Sequence, residues 1–234
     1  MPDATYIRGR APLRHTVPVA SALVIRLLLV RHGESTWNAQ SRWQGQADPP
    51  LSPLGERQAD EAAERLAEVA SITAIWTSDL VRARRTAELI AAQLGIAAVR
   101  EEPRLRERDV GSWSGLTREE IEDRWPGYLA ARRSPPDFEG DAPLLTRTMA
   151  GLLAAADGSN AGDVLVVTHG GVVRTVERSL GATPGRLPNL AGRWIMAPAP
   201  GRLTLGERVV LVDPDDVTLP GDQSEQDPVS PKKT

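Results

Sequence analysis

Two short apolar runs in this 234-residue chain end in the same way, and that repetition constrains the fold more than any other feature. Leu27-Leu28-Leu29-Val30 runs into Arg31-His32-Gly33-Glu34, and Val164-Leu165-Val166-Val167 runs into Thr168-His169-Gly170-Gly171. Continuous apolar runs of this length fit strands covered on both faces, the state of strands in a parallel sheet wrapped by helices. The chain has only three histidines, and two of them stand at these strand exits. Ligands of open α/β sheets bind beyond the carboxyl ends of the strands. The pair therefore points to one active site built around two imidazoles.

The intervening sequence supplies the helices that such a sheet needs. Leu23 to Val30 reads as the first strand, interrupted only by Arg26. Leu51-Ser52-Pro53-Leu54-Gly55 opens a helix that runs through Leu66 and Val69, with its charges on the opposite face. Ile72 to Trp76 is a second strand, and Thr77-Ser78-Asp79 offers capping oxygens to a helix from Leu80 to Leu94, ended by Gly95. Val99 is expected to end a third strand. Thr117 and Glu120 form a capping-box pattern for a helix to about Trp125, and Pro126, Gly127, Pro135 and Pro136 make the next segment irregular. Leu144 to about Ala156 is helical, as is Gly171 to Leu180, and Arg202 to Val212 reads as two strands around Gly206-Glu207. Alternating strands and helices predict an α/β fold of three layers, helix-sheet-helix, with a mostly parallel central sheet. His32, Ser78 with Arg82, Glu107 and His169 all follow strands in this reading, so they can meet on one edge.

Composition removes several function classes. A net charge of -3 and 41% hydrophobic residues give no basic excess for a nucleic-acid partner, and no apolar run is long enough to cross a bilayer. The absence of cysteine excludes disulfides, thiolate catalysis and Cys-ligated metals, and fits a cytoplasmic location. Residues 1–22 carry three arginines ahead of a stretch too short and polar for a signal core, and are expected to be a flexible extension. Residues 214–234, rich in Pro, Asp, Ser and Lys, are expected to be a disordered tail. The body, 23–213, is expected to be one domain with a small cap around 112–142. Its six tryptophans are assigned to packing and its oligomeric state is left open, a homodimer included.

Histidine, arginine and a carboxylate at one sheet edge suit phosphoryl transfer. A phosphate ester needs its non-bridging oxygens clamped and a nucleophile placed in line, and the planar arginine fork fits those oxygens. A neutral imidazole can attack phosphorus to form a phosphohistidine, and nearby guanidiniums help keep it unprotonated. A carboxyl group then protonates the leaving oxygen and later activates water.

Leu28-Leu29-Val30-Arg31-His32-Gly33-Glu34 resembles the signature of the histidine phosphatases, the phosphoglycerate mutase-like superfamily. Three further motifs follow in order: Thr77-Ser78-Asp79-Leu80-Val81-Arg82-Ala83 with Thr86-Ala87, Arg104-Leu105-Arg106-Glu107 with Gly111-Ser112-Trp113-Ser114-Gly115, and Val166-Val167-Thr168-His169-Gly170-Gly171. The resemblance spans roughly residues 24 to 195 and implies a phosphoglycerate mutase-like fold. It implies His32 as the nucleophile, with Arg31, Arg82 and His169 around the phosphoryl group and Glu107 as proton donor. Glu101, Glu102 and Asp109 compete with Glu107, and only its register with the motif selects it. Asn38 would bond phosphate through its amide, Ser35 and Gln44 would line the pocket, and Gly170 would bind at the start of a helix whose N-terminus favours anions. No cofactor and no metal is implied, and the partner is a small-molecule phosphate ester.

Mutases of this family carry a longer insertion ahead of the second histidine. Here Glu107 and His169 are 62 positions apart, which leaves room for a short cap and for water, so a phosphatase is expected over a mutase. A non-catalytic phosphate-binding module is the remaining alternative. Where many relatives have a Gly-Glu-Ser segment, this chain has Glu139-Gly140-Asp141-Ala142-Pro143, which bears on the substrate-side contacts.

Overall fold

The first apolar run forms β1 (Ile25–Arg31) and the second forms β4 (Asp163–Thr168), and the two lie side by side in parallel. The computed structural model describes residues 25–159, 162–199 and 201–213. The expected extension 1–22 and tail 214–234 lie outside the described residues, as do the first two residues of the strand expected from Leu23.

Four further strands complete one sheet. β2 (Ile72–Thr77), β3 (Val99–Glu101), β5 (Ala191–Ala199) and β6 (Arg202–Val210) join β1 and β4 in the order β3-β2-β4-β1-β5-β6. The first four strands in that order run parallel, and β5 and β6 are antiparallel to their neighbours. The helices are α1 (Thr36–Ala39), α2 (Pro53–Val69), α3 (Val81–Leu94), α4 (Arg118–Arg124), α5 (Asp141–Asp157) and α6 (Gly170–Ser179).

Strand alternation explains why both faces of β1 and β4 are apolar. Leu28, Val30, Leu165 and Val167 pack with Ala62, Ala63 and Leu66 of α2 and Ala83, Ala87 and Ile90 of α3. Leu27, Leu29, Val164 and Val166 face the other way, onto Leu152 and Ala155 of α5 and Val173 and Val176 of α6. All eight strand residues are fully buried, each contributing about 1.5–3 kcal/mol on transfer from water. The three-layer α/β architecture follows from this double coverage. No helix among the described residues is long and apolar enough to cross a membrane.

A third cluster stands apart from the sheet. Trp43, Val110, Trp113, Leu116, Ile121 and Leu129 form it, with Trp125, Tyr128 and Phe138 packed against them. Trp43 and Trp113 meet edge to face at 5.2 Å, a favoured aromatic geometry. Within this region the expected capping box is present: the Thr117 hydroxyl accepts from Glu120 N–H while the Glu120 carboxylate accepts from Thr117 N–H.

Three local expectations are corrected. The β-hairpin at the end is made by β5 and β6, whereas the sequence suggested two strands between Arg202 and Val212 and none between Leu180 and Arg202. Gly206 looks like a turn residue, yet it lies inside β6, where a Cβ would press on Trp194 of β5 and glycine allows the close pairing. Gly192 and Pro198 hid β5 by interrupting its pattern. Val99 begins β3 rather than ending it.

The start of α3 differs as well. Its N-cap, Leu80, has no side-chain cap, and Asp48 from a distant loop accepts the Val81 N–H at 2.6 Å. Of the expected capping oxygens only Ser78 Oγ accepts, from Leu80 N–H at 3.3 Å. Thr77 turns to the Ser78 carbonyl, and the Asp79 carboxylate is drawn into a paired contact with Arg106.

Candidate active site

The register of β1 and β4 brings the two histidines together. Arg31 pairs with Thr168, so the next residues, His32 and His169, leave neighbouring strands side by side. The His32 N–H still donates to the Thr168 carbonyl at 2.9 Å, continuing the ladder one residue past the strand. The two rings stand 5.2 Å apart, inclined at 63°. Asn189 fixes the backbone from the far side by donating to the His32 carbonyl at 2.7 Å.

Hydrogen bonds define the tautomer of His32. Its Nδ1 lies 2.6 Å from the Gly33 carbonyl, which can only accept, so the proton sits on Nδ1. Nε2 therefore carries the lone pair, and Arg82 Nε donates to it at 3.2 Å. Burial, with the charges of Arg82 and Arg31 behind it, holds the imidazole pKa well below the ordinary histidine value. His169 is fully buried, and neither ring nitrogen has a hydrogen-bond partner among the described residues. Burial, followed by the Arg82 charge, keeps it neutral too.

Arg82 reaches the site from the first turn of α3, and its other nitrogens are already fixed. Nη1 donates to the Ala47 carbonyl and Nη2 to the Gly45 carbonyl, both at 2.8 Å. Gly45 has φ +52, a left-handed conformation that suits glycine and turns its carbonyl to the guanidinium. Arg31 donates to the Leu187 carbonyl at 2.8 Å. Burial lowers Arg31 to about 9, helped by the charge of Arg174, and lowers Arg82 to about 10. Both stay cationic at neutral pH.

Glu107 comes from the loop between β3 and α4. One carboxylate oxygen accepts the Arg108 N–H at 2.8 Å and the other accepts the Gly171 N–H at 3.0 Å, at the start of α6. A Cβ on Gly171 would collide with that carboxylate, so glycine permits the approach.

The remaining expected residues divide into those that line the pocket and one that does not. Asn38, Gln44 and Gly170 line it with Arg31, His32, Arg82 and Glu107. Ser35 is fully buried behind it, a correction to the expectation that it lines the pocket. Its hydroxyl is committed to capping α1: it accepts the Asn38 N–H at 3.1 Å, and its single proton is shared between Gln44 Oε1 at 2.8 Å and Asn38 Oδ1 at 3.1 Å. With both amide oxygens turned towards Ser35, the amide nitrogens of Asn38 and Gln44 are the groups left for the pocket.

Sequence reasoning missed Arg108, Arg174, Trp43, Val110 and Phe138, which complete the wall. Arg174 had a usable signal, since it follows Gly170 by one helical turn. Phe138 had none beyond being the chain's single phenylalanine. Among the described residues no group of three or more His, Asp or Glu side chains is placed to hold a metal ion.

Known proteins resemble this chain. The model of the histidine phosphatase superfamily, branch 1, matches residues 27–193. A metal-independent phosphoserine phosphatase from Arabidopsis thaliana is 41% identical over 160 residues, covering 65% of this chain and 67% of that protein. Phosphoglycerate mutase-like protein 4 from the same plant is 37% identical over 157 residues, covering 64% of this chain and 68% of that one. The structure of a mycobacterial glucosyl-3-phosphoglycerate phosphatase complexed with VO3 matches with a TM-score of 0.66 at 30% identity, covering 80% of this chain and 98% of its own. Together with the paired histidines at adjacent strand exits, the match across most of the chain shows that this protein belongs to the histidine phosphatase superfamily.

Proposed function

We propose that the chain is a metal-independent phosphomonoester hydrolase that acts on a small phosphorylated metabolite through a phosphohistidine on His32. The observation that carries this reading is the tautomer of His32. A neutral imidazole with its proton held on Nδ1 by a carbonyl offers Nε2 as the nucleophile, and the guanidinium of Arg82 sits at that same nitrogen.

The chemistry takes two balanced steps. In the first, the His32 Nε2 lone pair forms a bond to phosphorus, the bond from phosphorus to the ester oxygen breaks, and the Glu107 carboxyl gives its proton to the departing oxygen. In the second, the Glu107 carboxylate takes a proton from water and the water oxygen attacks phosphorus. The P–N bond then breaks, which frees phosphate and restores neutral His32. Arg31 and Arg82 neutralise the phosphoryl oxygens, and His169, whose ring lies 5.2 Å from that of His32, bonds one of them. The amide nitrogens of Asn38 and Gln44 and the start of α6 at Gly170 add donors. Arg174 lines the pocket with Arg31 and Arg82, which suits an anionic ester, while Arg108 is paired with Asp141.

The relatives carry both phosphatase and mutase names, so transfer between hydroxyls is the competing outcome. The short cap favours hydrolysis because water can reach the phosphoenzyme. The test is a chelator-treated screen against phosphate esters, phosphoserine first, with phosphoglycerate isomerisation followed in parallel. Phosphate release that His32→Ala abolishes is expected. Isomerisation exceeding release would replace the reading with a mutase, and a strict need for added metal would contradict it.

A further inference from the structure

Outside the pocket, one guanidinium holds the loop of Glu107 at several points at once. Arg147 stands on α5 and is four-fifths buried. Its Nε and Nη2 donate to the two carboxylate oxygens of Glu139 at 2.8 and 2.7 Å. Its Nη1 donates to the carbonyls of Arg104 and Arg106 at 2.9 and 2.6 Å, and Nη2 also donates to the carbonyl of Glu107 itself at 2.8 Å. These bonds use all five guanidinium N–H groups. A lysine, with three donors at one point, cannot reproduce the pattern.

Glu139 extends the clamp along the same loop. Its carboxylate also accepts the Asp109 N–H at 3.1 Å, its own N–H donates to the Asp109 carbonyl at 2.8 Å, and its carbonyl accepts from Arg108 Nη1 at 2.7 Å. The loop from 104 to 109 is therefore held from behind by Arg147 and Glu139. In front, the Glu107 carboxylate is held by the N–H groups of Arg108 and Gly171. Neither Arg147 nor Glu139 lines the pocket.

We infer that Arg147, acting with Glu139, is a positioning residue that sets where the Glu107 carboxyl meets the leaving oxygen. This rests on the reading of Glu107 as the proton donor. Proton transfer tolerates little displacement: an error of about 1 Å can cost on the order of a hundredfold. A backbone pinned at three carbonyls has little freedom to make that error. The charge of Arg147 is also felt at His169, where it helps keep the imidazole neutral.

A scaffold that merely stabilised the fold would affect all substrates alike, whereas a misplaced acid penalises poor leaving groups. The experiment compares kcat/KM for the alkyl ester ranked first in the substrate screen with kcat/KM for p-nitrophenyl phosphate. In Arg147→Lys the alkyl ester is expected to lose about ten- to a hundredfold and the aryl ester under about threefold. Glu139→Gln, nearly isosteric, should show the same bias more weakly, and it decides the matter if Arg147→Lys does not fold. Added to Glu107→Gln, Arg147→Lys should produce no further bias. Equal losses on both esters, in either single variant, would overturn the inference while Glu107→Gln stays biased. If Glu107→Gln itself shows no bias, the acid assignment fails, and the inference fails with it.

Discussion

The floor of the pocket and its outer wall are built on different principles. The floor is Arg31 at the end of β1, His32 at its exit and Arg82 in the first turn of α3, with His169 beside His32 at the exit of β4, and each is nine-tenths or more buried. The ladder of two parallel strands places Arg31, His32 and His169, and α3 brings in Arg82. The wall is Trp43, Val110 and Phe138 from the aromatic cluster, with Arg108 laid against Phe138. Side-chain packing and ion pairs place the wall, through Arg108 to Asp141, Arg147 to Glu139 and Ser112 to Asp137. The proposed chemistry would sit on residues set by the strand exits and α3, and the rest of the substrate would meet a wall with its own small core.

That contrast can be broken at several points. The largest effect is expected at the floor: His32→Ala should reduce turnover by on the order of a thousandfold or more and abolish phosphoenzyme labelling with an unchanged melting temperature. Retained labelling would move the nucleophile elsewhere. Glu107→Gln, where floor and wall meet, should cost about a hundred- to ten-thousandfold on alkyl phosphates and far less on p-nitrophenyl phosphate. Equal losses would remove its acid role.

A cut in the wall should register as stability and substrate choice. Trp113 is fully buried in the aromatic cluster, and Trp113→Ala should cost about 3–5 kcal/mol by denaturant unfolding. The folded enzyme should still turn over p-nitrophenyl phosphate while the ranking of larger esters changes. A collapse of all activity in the folded fraction would mean that wall and floor are not separable.

The smallest effect is a pH dependence that belongs to the floor alone. The three histidines are His15, His32 and His169, so the wall has none. His32 and His169 have folded pKa values well below the ordinary one, chiefly through burial. As pH falls below about 6.5 the unfolded chain binds protons that the folded chain refuses, so stability present above that value is lost towards the lower folded values. Unfolding free energy should therefore decline between about pH 7 and 5 with a slope of up to two protons. His169→Asn should make the slope shallower, and an unchanged slope would mean that His169 is not held neutral. The low-lying carboxyls of Asp79 and Glu102, bonded to Arg106 and Arg104, contribute only at more acid pH.

The legibility of the chain follows the same division. Four-residue apolar runs and the glycines after His32 and His169 marked the floor, because a buried parallel strand leaves a local pattern. β5 was not legible: Gly192 and Pro198 interrupt its pattern, and only its pairing with β1 and β6 makes it a strand. The cap of α3 was misread because its acceptor, Asp48, lies 33 residues away. Ser35 was misplaced for the opposite reason, since a purely local bond to Asn38 turns its hydroxyl away from the pocket.

Sequence by itself determined the three-layer sheet and the two histidines at its edge, because strand burial and backbone spacing are local properties of the chain, and only the resemblance to a family motif singled out Glu107. Tertiary structure alone decided the tautomer of His32, the recruitment of Arg108, Arg174 and Phe138 to the pocket, and the grip of Arg147 on the Glu107 loop. Pocket recruitment and the grip of Arg147 depend on partners far away in the chain, and the His32 tautomer joins the adjacent Gly33 carbonyl to Arg82, 50 residues on. The direction of a hydrogen bond or a buried charge is set by whichever groups packing brings to it.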